Sequence, residues 1–129
     1  MGDYFLKKSN MLKKKIFENK IIFLAYREWA KKTVNELKKK IRFKNILEFD
    51  NNKEFEKYIK YKSNYLVILV GWSEILNNNI ISKNTCLGVH PSDLPDYKGG
   101  SPIQHQIINN IQKTHNSLYK LEKKIDSGE

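Results

Sequence analysis

"NYLVILVGW", residues 64–72, is the segment on which the fold turns. Its apolar run from Tyr65 to Val70 is rich in branched side chains and stops at Gly71. A run this short, with no polar residue on alternate positions, reads as a strand buried on both faces. Such a strand belongs inside a parallel sheet that helices cover on each side. The flanking segments agree. Upstream, "DNNKEFEKYIKYK" (50–62) opens with Asp and Asn capping chemistry and carries Phe55, Tyr58 and Ile59 on one face, as a helix does. "FKNILEF" (43–49) precedes it as a short strand. "REWAKKTVNELKKK" (27–40) sets Trp29, Val34 and Leu37 at helical spacing and gathers lysines in its last turn, where the helix dipole favours cations. "KIIFLAY" (20–26) is a second strand of the fully buried kind.

Downstream, the connection from Trp72 to Thr85 reads as a loop, and "TCLGVH" (85–90) as a strand that runs into a proline- and glycine-rich segment. "PIQHQIINNIQ" (102–112) has Pro in a first-turn position and Ile103, Ile107 and Ile111 at one-face spacing, which predicts a helix with an apolar stripe. "HNSLYKLEK" (115–123) reads as a last strand. Strands alternating with helices predict an α/β fold, a mainly parallel sheet with right-handed crossovers and helices on both faces. Ligands of such sheets sit beyond the carboxyl ends of the strands, where this chain puts Gly71, Trp72 and His90.

Composition narrows the function. A chain of 129 residues suits one domain, and 40% apolar with 12% aromatic residues is the make-up of a folded protein. No apolar run approaches the roughly 20 residues that span a bilayer, and the first residues lack the pattern of a signal peptide. With Cys86 as the single cysteine there is no internal disulfide framework, so a cytoplasmic, reducing setting is expected. The formal charge of +10 comes almost entirely from Lys, with only Arg27 and Arg42 to offer planar forks to phosphate. Spread along the whole chain, it reads as a solvated surface rather than a nucleic-acid face. No P-loop or glycine-rich dinucleotide fingerprint is present, and His90, His105 and His115 lack metal-ligand spacing, so no metal is expected. Residues 1–19, with Phe5, Met11, Leu12 and Ile16 among lysines, read as a basic amphipathic extension ahead of a domain over 20–129.

The segment "LGVHPSDLPDYKGGSPIQHQ" (87–106) holds all three prolines, three of the six glycines and two of the three histidines. Proline fixes φ and glycine permits positive φ, so this stretch specifies an irregular path with little freedom. "GWSEIL" (71–76), "GVHPSDLPDYKGGSPIQHQII" (88–108) and "KKIDSGE" (123–129), in that order, resemble the formyltetrahydrofolate-dependent formyltransferases, and "HPSDLPDYKGGSPIQ" is most similar to the amino-sugar N-formyltransferase branch. The resemblance implies a Rossmann-like formyltransferase fold and N10-formyltetrahydrofolate as formyl donor. It also implies a small primary amine as acceptor, that of a nucleotide-linked amino sugar; the alternatives are a methionyl-tRNA formyltransferase-like enzyme and a non-catalytic remnant.

His90 matches the family's catalytic histidine, whose near-neutral proton affinity suits transfer from an attacking amine. Asp126 matches its catalytic aspartate, which orients the histidine or takes the amine proton. Gly88 stands where the family has an asparagine that donates to the developing oxyanion; losing one such donor typically costs on the order of 10²–10³ in rate. Ser92, Leu94 and Pro95 are implied on the amine side, with Lys98 where the family has arginine. Trp72, Ile75 and Leu76 are implied beside the folate, and Gly99 and Gly100 allow close backbone approach to it. The chain also reads as incomplete at its C-terminus. The strand carrying Tyr119 and Leu121 is then left with an open edge, and self-association follows as an expectation.

Overall fold

The computed structural model describes residues 20–41 and 45–123. Five strands, β1 (Ile21–Leu24), β2 (Ile46–Phe49), β3 (Leu66–Leu69), β4 (Thr85–His90) and β5 (Ser117–Lys120), form one sheet in the order β2-β1-β3-β4-β5. The first four run parallel, and β5 pairs antiparallel with β4. The expected mainly parallel α/β sheet is therefore present. The helices are α1 (Glu28–Lys40), α2 (Asn52–Ile59), α3 (Asn78–Lys83) and α4 (Pro102–Ile108).

The central strand β1 shows how the two layers arise. Its side chains alternate, and all four are buried. Ile21 and Phe23 join Val70 on one face beneath Ala30 and Val34 of α1. Ile22 and Leu24 join Val67, Leu69 and Cys86 on the other, beneath Phe55 and Ile59 of α2 and Ile80 of α3. Val34 of α1 and Phe55 and Ile59 of α2 are thus core residues, as their spacing predicts. Trp29, by contrast, is 55% exposed.

Two expectations are corrected. The connection after Trp72 is not all loop, because α3 forms within it. Asn77 caps that helix by accepting from the Asn79 N–H at 2.8 Å. At its other end, buried Asn84 donates to the Ile80 carbonyl and accepts from the Tyr65 N–H. Asparagines that suggest a loop are here the caps and ties of a short helix. Second, the isoleucine stripe of α4 is not core: Ile103 is 52% and Ile107 70% exposed, and Ile111 lies beyond the helix. The buried residue is Gln106, whose Nε2 donates to the Pro91 and Pro102 carbonyls. The last strand, whose direction the sequence pattern leaves open, is antiparallel, since the short path out of α4 returns the chain along β4 in the opposite sense.

Gly71 closes β3 with φ at +60°, and a Cβ there would lie 2.6 Å from Cζ2 of Trp29. The left-handed backbone dominates the cost of substitution, because the half-exposed indole can swing aside. Gly71→Ala is expected to lose about 1–2 kcal/mol and to lower Tm by roughly 5–10 °C, measured by thermal unfolding.

Cys86 is completely buried in β4, and burial pushes its thiol up to about 11 from 9.0. The folded chain therefore keeps a proton that the unfolded chain gives up. The stabilisation is complete below pH 9 and is lost as pH climbs from about 9 to 11. Urea midpoints of the native chain should fall more steeply across that window than those of Cys86→Ala, and parallel slopes would contradict it.

Candidate active site

Because β1, β3 and β4 are parallel, their carboxyl ends come together at one edge of the sheet. Tyr26, just past β1, meets Trp72, just past β3, edge-on at 5.4 Å between ring centroids. The Tyr26 hydroxyl lies 2.7 Å from the Ser73 Oγ and accepts from Arg27 Nε. The hydrogen bond to Ser73, then that from Arg27, lowers the Tyr26 phenol from its ordinary value of 10.0. Trp72 is half-buried, and its Nε1 is buried with no hydrogen-bond partner among the described residues. An unpaired buried N–H costs free energy unless something accepts from it. Trp72 therefore offers a donor at the edge where a ligand is expected. Neither Tyr26 nor Ser73 stood out in the sequence; the signal for them was only their place after a buried strand.

Ile75 and Leu76, expected side by side at a pocket wall, part company. Leu76 is packed in the core beside Ile80, whereas Ile75 is 76% exposed.

At the end of β4, half-buried His90 has Nε2 2.7 Å from the Tyr97 carbonyl oxygen. A carbonyl only accepts, so Nε2 holds the proton and Nδ1 of the neutral ring has a lone pair available. Tyr97 has φ of 55°, a conformation uncommon for a residue other than glycine, and the turn it makes aims that carbonyl at the ring.

The proline and glycine segment that follows is pinned from inside. Ser92 is fully buried, and its hydroxyl donates to the Asp96 carbonyl at 2.6 Å. Ser117 of β5 donates to the Ser92 carbonyl and accepts from the Leu94 N–H. The side chain of Ser92 is thus committed to holding the loop. The Leu94–Pro95 bond is cis. Leu94 is half-buried, while Pro95, Lys98, Gly99 and Gly100 are exposed on the outer rim. Gly99 has φ of +96°, and a Cβ on either of these glycines would meet nothing within 4 Å. Asp126 and the extension over residues 1–19 lie outside the described residues.

Gly88 shows a closer fit. It is buried in β4, one alternation before His90 and on the same face, opposite Tyr119 of β5. A Cβ on Gly88 would lie 2.7 Å from Tyr119 Cζ and 2.8 Å from its Oη. The Tyr119 ring therefore occupies the space over Gly88, and it meets the His90 ring edge-on with centroids 6.5 Å apart.

The formyl transferase family profile matches residues 18–129. The chain belongs to the formyl transferase family. Its sheet is the Rossmann-like formyltransferase fold, as structural comparison also shows. A methionyl-tRNA formyltransferase from Clostridium thermocellum superposes with a TM-score of 0.68 and 30% identity, over 84% of this chain and 48% of that one. A methionyl-tRNA formyltransferase from Thermotoga neapolitana is 34% identical over 80 residues, which is 60% of this chain and 26% of the relative. One from Wolbachia pipientis is 39% identical over 79 residues, 58% of this chain and 25% of the relative. A sugar N-formyltransferase from Shewanella has a TM-score of 0.53 at 15% identity, covers 84% of this chain and 53% of its own, and shows the shared fold alone. This formyl transferase chain thus spans about a quarter of the length of the curated relatives it matches. Among its described residues no helix is long and apolar enough to cross a membrane.

Proposed function

We propose that this chain carries the catalytic centre of a transfer of the formyl group from N10-formyltetrahydrofolate to a primary amine. The observation that carries it is His90: its Nε2 is tied to Tyr97, and Nδ1 is left available at the carboxyl edge of a formyl transferase sheet. Bound there, the folate supplies a formyl carbon open to nucleophilic attack. Trp72 fits such a ligand, because its buried N–H lacks an acceptor and a pterin carries several. Gly99 and Gly100 leave the loop rim open on the same reading. His90 Nδ1 accepts the proton that the amine sheds as it forms its bond to carbon, and later returns a proton to the departing nitrogen. Asp126 is proposed as a further acceptor for the amine proton, since both ring nitrogens of His90 are already assigned. Ser92 and Leu94 act by holding the loop, and Pro95 and Lys98 face the acceptor side. Residues 20–129 form the catalytic part, preceded by the extension over 1–19, and the lone reduced cysteine supports a cytoplasmic setting.

For the acceptor, the amino sugar of a nucleotide conjugate is the first reading, supported by the motif "HPSDLPDYKGGSPIQ". Methionyl-tRNA is the second, favoured by relatives of that name at 30% identity or more. Incubating the chain with radiolabelled formyl donor and each acceptor separates them, since label moves to the sugar nucleotide in one case and into precipitable RNA in the other. Label in neither, with no binding of tetrahydrofolate, would overturn the enzyme reading.

A further inference from the structure

We propose that Tyr119 is the oxyanion donor of this site, a catalytic residue supplied by β5 in the space that Gly88 leaves open. The inference rests on the formyl-transfer reading above. When an amine attacks a formyl carbon, a C–N bond forms and negative charge gathers on the formyl oxygen. The charge disappears when the bond from carbon to the folate nitrogen breaks, and a proton passes from amine to His90 and on to that nitrogen. A donor aimed at that oxygen is where such a site gains most of its rate.

The donors around His90 can be counted among the described residues. The Ser92 hydroxyl is spent on the Asp96 carbonyl, the Ser117 hydroxyl on the Ser92 carbonyl, and His90 Nε2 on the Tyr97 carbonyl. The Tyr97 hydroxyl accepts from Asn109 Nδ2 at 3.0 Å, which holds it beside that exposed side chain without spending its own proton. The Tyr119 hydroxyl has no hydrogen-bond partner among these residues, and it stands on the same face as His90 with the two rings in edge contact. Tyr119 is 41% exposed, so its ring is seated while its rim remains open to a bound group.

Glycine at position 88 leaves room for the Tyr119 ring where it stands. It lies within β4 and has no left-handed φ, yet any Cβ would overlap the Tyr119 ring. An asparagine amide nitrogen sits roughly 2.4 Å from its own Cβ by bond geometry. The Tyr119 Oη is 2.8 Å from the corresponding point on Gly88. The phenol therefore reaches the neighbourhood that an amide from position 88 would serve, and the absence of a side chain there is what admits it.

Tyr119→Phe keeps the ring and removes the donor. In single-turnover transfer by the full chain, its rate is expected to fall on the order of 10²–10³-fold, with tetrahydrofolate affinity and Tm unchanged. A second readout needs no turnover. A folate analogue bearing a hydrated trifluoroketone in place of the formyl group mimics the tetrahedral oxygen, and it should bind wild type far better than Tyr119→Phe. A third variant, Gly88→Asn with Tyr119→Ala, returns an amide to the vacated space and should recover at least about tenfold of the lost rate. An active wild type with equal rate and equal analogue binding in Tyr119→Phe would overturn the role of Tyr119 and leave the enzyme reading standing. Parallel loss of Tm and of tetrahydrofolate binding in Tyr119→Phe would also overturn it, in favour of a packing role. A wild type that binds neither tetrahydrofolate nor the analogue would remove the enzyme reading, and Tyr119 with it.

Discussion

His90→Ala should lower single-turnover formyl transfer by about 10³-fold, the middle of the range for a positioned acid–base group. Tetrahydrofolate binding should stay within a few-fold of wild type. The separation follows from the geometry: among the described residues the His90 ring makes one hydrogen bond, to the Tyr97 carbonyl, and it stands at the strand end rather than in the core. Removing the ring loosens that loop by about 1 kcal/mol, the usual net value of one hydrogen bond. The loop is otherwise held by Ser92, Ser117 and Gln106, so the fold should survive the change. A rapid-quench measurement with saturating donor and acceptor checks it. Undiminished transfer in the variant would take His90 out of the mechanism.

Phe55→Ala should destabilise the chain by about 3–5 kcal/mol, the cost of emptying an aromatic site in a packed core. Phe55 is completely buried under the sheet, among Ile22, Leu24 and Val67, with the Phe49 ring 5.8 Å away. Domains of this size hold about 5–15 kcal/mol in total, so the variant should be substantially unfolded well below the wild-type melting temperature. Urea titration followed by circular dichroism gives the number. A loss below about 1 kcal/mol would mean that α2 does not form the layer described.

What the linear chain revealed and what it hid follow from the range of the interactions involved. Strand identity was readable at "KIIFLAY" and "NYLVILVGW" because burial on both faces demands an unbroken apolar run. The helical faces of Val34, Phe55 and Ile59 were readable because neighbours on a helix lie three or four residues apart. The place of His90 followed from a strand that ends in a proline-braced loop. The helix Asn78–Lys83 was hidden by its asparagines, whose side chains favour loops locally and act as caps only when the rest of the turn forms. The isoleucines of α4 carried the periodicity of a buried stripe, yet what this helix buries is Gln106, because two proline carbonyls need its amide.

By itself, the sequence determined the α/β class, the parallel core and the edge at which chemistry is placed, since each is written in short-range pattern. Tertiary structure alone decided the direction of β5, because alternation along a strand is the same whichever way it runs. It alone also set the work of Ser92, whose buried hydroxyl is claimed by the Asp96 carbonyl within the loop while Ser117 of β5 holds its own carbonyl. The same holds for the meeting of Gly88 with Tyr119. Those two residues are far apart in the chain, and neither carries a mark of the other. Only the register of β5 on β4 brings the phenol over the missing side chain, because a shift of one residue would turn Tyr119 to the opposite face.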